Sequence, residues 1–164
     1  MKEVTIHTDG SSRGNPGPGG YGVVLRHGAT RKELAGGFRR TTNNRMELLA
    51  CIVALRALRE PCQAEIHSDS QYVVNGVTKG WAKSWRSRGW RKADKKRPEN
   101  VDLWRELLDL LEKHEVRFHW LRGHAGHPEN ERCDQLATRA ADQPDLPPDQ
   151  GYETAGSAAE LFGD

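Results

Sequence analysis

The stretch EVTIHTDGSSRGNPGPGGYGVVL, residues 3–25, decides the fold class. Val4 and Ile6 alternate with polar neighbours up to Asp9-Gly10, the pattern of a strand that runs into a turn and leaves Asp9 at its end. Gly17, Gly19 and Gly22 then spell G-x-G-x-x-G, which in a dinucleotide-binding unit opens a helix. Here Tyr21, Val23, Val24 and Leu25, followed by Arg26-His27-Gly28, predict a second strand and a turn instead. The dinucleotide reading is therefore rejected.

Outward from this stretch, a third strand is predicted over Arg31–Arg40 and a helix over Met46–Leu58, capped by Asn43 or Asn44 and stopped by Pro61. Ala64 to Ser68 repeats the strand-then-acid pattern, ending at Asp69-Ser70 before a short helix from Gln71 to Val77. Asn100 is placed to cap a helix over Val101–Lys113, and Val116, Phe118 and Trp120 alternate along another strand. A last helix starts near Pro128 and carries Cys133, Leu136, Ala137, Ala140 and Ala141 on its apolar face. This order predicts an α/β fold, a mixed sheet with helices on its faces, because a crossover helix lets two strands run parallel.

The 164 residues suit one domain, with Lys+Arg 25 against Asp+Glu 23 and a formal net charge of +2. That total averages very unequal segments. Lys79 to Arg97 holds nine bases and only Asp94 as an acid, an electrostatic footprint for a polyanion such as nucleic acid. From Asp142 onward there are six acids and no Lys or Arg, and the Pro- and Gly-rich stretch over residues 143–164 is expected to be a largely disordered acidic tail. A polar N-terminus and the lack of a long apolar run predict a cytosolic chain with no membrane partner. Cys51, Cys62 and Cys133, odd in number and far apart, are expected to be reduced and packed as small hydrophobes.

Four carboxylates stand out by position. If the strands of Asp9 and Asp69 are parallel neighbours, both acids emerge at one sheet edge, where open α/β sheets place their sites. Glu47 lines up with Cys51, Ala54 and Leu58 on the apolar side of its helix, nearly opposite Arg45 and Arg56, where a shared metal ion would remove the penalty of burying an acid. Asp134 lies at the margin of the last helix's apolar face. Taken singly, each acid also reads as a turn, a cap or a solvated helix edge. Together they favour hard divalent cations such as Mg²⁺ or Mn²⁺, two of which can act on a phosphodiester. Structural zinc on His124, His127 and Cys133 is disfavoured because there is no CxxC pair and no fourth ligand. His124, in a Gly-bounded loop, suits proton transfer. Trp85 and Trp90 are expected to be structural, whereas Trp81 is expected at the substrate.

Thr8-Asp9-Gly10-Ser11, the run Gly14 to Gly20, Thr41 to Glu47, Ser68 to Tyr72, and Gly123 to Asp134 occur in an order that closely resembles bacterial type 1 ribonuclease H, over residues 3 to about 142. The resemblance implies a five-stranded mixed sheet flanked by helices, a catalytic domain over 1–142 with a basic handle over 79–97, and a monomer that cleaves the RNA strand of RNA/DNA hybrids with two Mg²⁺ ions. It places the metal-binding acids at Asp9, Glu47, Asp69 and Asp134, with Asp9 bridging the ions, and gives His124 a part in proton transfer or product release. It also implies that Asn15, Asn43, Asn44 and Gln71 approach the RNA minor groove, that Arg40, Thr42 and Asn100 grip a DNA phosphate, and that Trp81, Lys83, Arg86 and Arg88 contact substrate from the handle. Two alternatives stay open: a hybrid-binding module without catalysis, and another metal-dependent nuclease of the same fold.

Overall fold

The computed structural model describes residues 1–154. Strands β1 (Lys2–Ser12), β2 (Gly17–His27) and β3 (Thr30–Thr41) form an antiparallel meander. Helix α1 (Asn43–Arg56) then crosses over to β4 (Cys62–Ser68), which pairs parallel with β1. Helices α2 (Gln71–Thr78), α3 (Trp81–Ser87) and α4 (Val101–Lys113) precede β5 (Glu115–Trp120), which lies parallel to β4, and α5 (Pro128–Ala141) closes the domain. The five-stranded sheet has the order β3-β2-β1-β4-β5, the mixed sheet that the strand pattern predicts.

One face of the sheet, with Val4, Ile6, Val23, Leu25, Ala64 and Ile66, builds the core against α1 and α4, where Leu48, Ile52, Leu55, Trp104 and Leu107 are buried. The other face receives α5 over β1, β2 and β3. Gly22 explains the glycine run, since a Cβ there would collide with the Cys133 carbonyl of α5. Gly20 is bound by the same constraint, its Cβ meeting the Ala137 carbonyl, so these two glycines of β2 let α5 pack closely on the sheet. All three cysteines are buried and free, as expected. Among the described residues, no helix is long and apolar enough to cross a membrane.

Three expectations change. The cap of α1 is Thr42, whose side chain accepts from Arg45 N, one residue before the predicted asparagines. Asn100 precedes α4 in the left-handed region at φ 61 and makes no side-chain cap, because its amide is engaged elsewhere. The tail is not disordered over residues 143–154: Pro147 O accepts from Arg39 N at 2.9 Å, and residues 150–154 form a helical turn. Asp149 is 7% exposed and accepts from Thr41 Oγ1 at 2.7 Å and Arg45 Nε at 2.7 Å. Polar contacts, the buried Arg45–Asp149 ion pair foremost, anchor this segment, so its low hydrophobic content was a poor guide. The rest of the predicted tail, residues 155–164, lies outside the described residues.

Candidate active site

The register of β1 on β4 pairs Thr8 with Ser68, so Asp9 and Asp69 follow side by side at the same ends of two parallel strands. Glu47 joins them because α1 runs very close to β1, an approach that only glycine at position 10 permits: a Cβ there would clash with Met46 and with Glu47 N. One carboxylate oxygen each from Asp9, Glu47 and Asp69 lie within 4.8 Å of one another. Gly10 N donates to Asp9 Oδ1 at 2.9 Å and to Glu47 Oε1 at 3.0 Å, and Glu47 Oε2 is buried without a partner. Asp134, half-buried on α5, lines the same cleft of about 410 Å³, as do Asn43, Asn44, Gln71 and His124.

Burial, chiefly, and the charges of Asp69 and Asp134 push the Asp9 carboxyl up to about 8. Glu47 is driven well above the carboxylate range by burial first and then by Asp9, and burial also raises Asp69. A cluster of this kind retains protons at neutral pH unless a cation replaces them. The orphaned Glu47 oxygen, the oxygen-only donor set and the excess negative charge all fit a hard divalent cation.

Of the other expected site residues, Asn15 and Arg40 are exposed outside the cleft, and Asn15 Oδ1 accepts from Asn43 N at 3.2 Å. Thr42 and Asn100 are half-buried beside α1. His124 is exposed at φ 57, after Gly123 and before Gly126 at φ 82. In the handle, Lys83 and Arg88 are exposed, and Trp81 is 44% exposed with Lys79 Nζ 5.4 Å from its ring centroid. Trp85 meets Trp104 edge-on at 5.9 Å and Trp90 is buried, both structural as expected. Arg86 lies over the Trp90 ring at 5.8 Å and pairs with Asp109 at 2.5 Å and Glu112 at 3.4 Å.

Helical periodicity put Arg45 on the polar side of α1, yet it is 3% exposed. Asp102 and Asp149 enclose its guanidinium, and Asn100, itself bonded to Tyr72, adjoins it. Only the missing acid in the first turn of α1, where a base opposes the helix dipole, hinted at a special role for Arg45.

A profile of the RNase H family matches residues 1–142. The ribonuclease H of Desulforamulus reducens is 61% identical over 149 residues, covering 91% of this chain and 94% of that protein. That of Escherichia coli O9:H4 is 56% identical over 153 residues, covering 93% and 97%. Among solved structures, LC9-RNase H1, a type 1 RNase H with the type 2 active-site motif, aligns with TM-score 0.77 and 34% identity over 86% of this chain and 72% of that chain. LC11-RNase H1 in complex with RNA/DNA hybrid aligns with TM-score 0.65 and 26% identity over 85% and 96%. Sequence match over most of the length and agreement of fold converge: the chain belongs to the RNase H family.

Proposed function

We propose that this chain is an endonuclease that hydrolyses the RNA strand of RNA/DNA hybrids, leaving 5′-phosphate and 3′-hydroxyl ends, as a cytoplasmic monomer working with Mg²⁺ or, as a substitute, Mn²⁺. The observation that carries this reading is the convergence of Asp9, Glu47 and Asp69 in a cleft that also presents Asp134, Asn43, Asn44 and Gln71. LC11-RNase H1, captured with an RNA/DNA hybrid, supports the substrate. Buried free thiols fit a reducing compartment.

Asp9, Glu47, Asp69 and Asp134 would hold the cations, which when bound supply an activated water and stabilise the leaving oxygen. Gly10 N fixes the Asp9 and Glu47 carboxylates in place, so little reorganisation is needed on binding. Asn43, Asn44 and Gln71 present donors and acceptors that can read 2′-hydroxyls in the wide minor groove of the hybrid. His124, free of packing on its exposed loop, can carry a proton to or from the reacting phosphate. Thr42 and Asn100, with exposed Arg40, supply a phosphate pocket beside α1, and Lys83, Arg88 and Trp81 extend the contact from the handle.

Labelled RNA/DNA, RNA/RNA and DNA/DNA duplexes, each incubated with Mg²⁺ or with chelator, test the reading. Only the hybrid's RNA strand should be cut, only with the cation, and not at all by Asp69→Asn. Cleavage of the DNA/DNA duplex, or near-normal turnover by Asp69→Asn, would sink it.

A further inference from the structure

Behind Thr42 and Asn100 lies a buried charge network that the proposed chemistry does not use. Arg45 Nε and Nη2 donate to the two Asp149 oxygens at 2.7 and 3.0 Å, while Nη1 and Nη2 donate to Asp102 at 2.9 and 2.8 Å. Nη1 also reaches Asn100 Oδ1 at 3.4 Å. Guanidinium can only donate, so this contact identifies the oxygen of the Asn100 amide and turns its nitrogen toward Tyr72 OH, which accepts at 3.1 Å and also accepts from Trp104 Nε1 at 2.8 Å. One Asn100 amide hydrogen is then left for a ligand. The same helix start contains Thr42, whose Oγ1 accepts from Arg45 N.

Asp149 reaches this place from the segment that follows α5. Thr41 Oγ1 donates to it at 2.7 Å, and Arg39, the neighbour of Arg40, ties Pro147 and Glu153 to β3. We propose that Asp149 is a positioning residue for substrate binding: through Arg45 it fixes the Asn100 amide and holds the Thr42–Asn100 pocket ready for a nucleic-acid phosphate. This rests on the reading of Thr42 and Asn100 as phosphate ligands. A planar guanidinium held along two edges by two carboxylates has one orientation, whereas one carboxylate leaves it free to pivot about the remaining edge.

Electrostatics alone predicts the opposite sign. Asp102 and Asp149 against Arg45 leave a net negative charge behind an anion pocket, so neutralising Asp149 should tighten phosphate binding by Coulomb's law. Positioning predicts that it weakens.

The test uses the full chain with Asp149→Asn, Asn100→Ala and the double substitution, at a temperature where circular dichroism shows each folded. Hybrid binding is read by fluorescence anisotropy in chelator, and KM and kcat in Mg²⁺. Each single substitution should raise Kd and KM about fivefold, with kcat for Asp149→Asn within about twofold, and the double should be no weaker than Asn100→Ala alone. If Asp149→Asn does not fold, Thr41→Val, which removes only a hydroxyl that holds Asp149, should shift Kd the same way by about twofold. Unchanged or tighter binding by Asp149→Asn, or by Thr41→Val where that variant stands in, beside a weakened Asn100→Ala, would overturn the positioning role and leave the phosphate pocket standing. An unchanged Kd for Asn100→Ala would overturn the pocket, and this inference with it.

Discussion

Asp9→Asn should stabilise the cation-free protein, and the gain should grow with pH. Asp9 is 4% exposed, and burial pushes its carboxyl up to about 8 in the fold from an ordinary 3.8. A raised carboxyl means that the folded chain holds a proton that the unfolded chain has released, so stability falls as pH rises through that window. Between pH 5 and pH 7 the difference is one proton, a loss of about 1.4 kcal/mol per pH unit and ~2.7 kcal/mol over the two units. Asparagine has no such proton to lose. Depressed histidines pull the other way: burial lowers His7 to about 4 and also lowers His67 and His114, a contribution that grows as pH rises. They are common to both proteins and cancel in the difference. Urea unfolding in chelator at pH 5, 6 and 7, followed by circular dichroism, should show the advantage of Asp9→Asn widening by ~2.7 kcal/mol, on the order of 5–10 °C in Tm. Saturating Mg²⁺ should close the gap by stabilising the wild type alone. A stability difference that stays flat across this range, or a wild type more stable than the variant in chelator, would refute the reasoning.

Lys83→Ala with Arg88→Ala should weaken hybrid binding and lower the slope of log K against log salt by up to about 2, whereas Arg86→Ala should leave that slope nearly unchanged and lower Tm instead; binding titrations from low to high salt separate the two. His124→Ala should cut kcat by roughly 10²-fold with little change in KM, measured by steady-state cleavage of a short hybrid. Gly22→Ala should cost about 1–3 kcal/mol in urea unfolding, since its methyl meets the backbone of α5 and not a side chain that can turn away.

Asp9 and Asp69 were legible because a strand's period of two ends visibly at Asp-Gly and Asp-Ser, and Glu47 because an acid on an apolar helical stripe violates the pattern around it. Arg45 broke the same helical reading. A wheel separates a helix's own faces but cannot know that Asp149, about a hundred residues later, closes over the polar one. The tail misled for a related reason, since composition measures the apolar area a segment can bury and not the polar ties, the buried Asp149 pair among them, that hold it. Arg86 was grouped with the handle charges expected at the substrate, and its pairing could not be read there: the reversal at Trp90, with φ 63, brings an indole beneath it and Asp109 of α4 beside it. Thr42 replaced Asn43 as the cap by a single position, within the ordinary uncertainty of helix ends.

The carboxylates come from positions 9, 47, 69 and 134, on β1, α1, the end of β4, and α5. No short stretch of contiguous chain therefore contains the proposed cation site, and a partly folded form that lacks the β1–β4 pairing or α5 lacks the placement of at least one of its four acids. Ligand free energy is consequently delivered to global unfolding alone, by RT ln(1 + [L]/Kd). In hydrogen exchange, Mg²⁺ should slow by one common factor the amides of β1, β4 and α5 that open only when the whole molecule opens. Those that exchange through local fraying, as at the edges of the handle, should keep their rates.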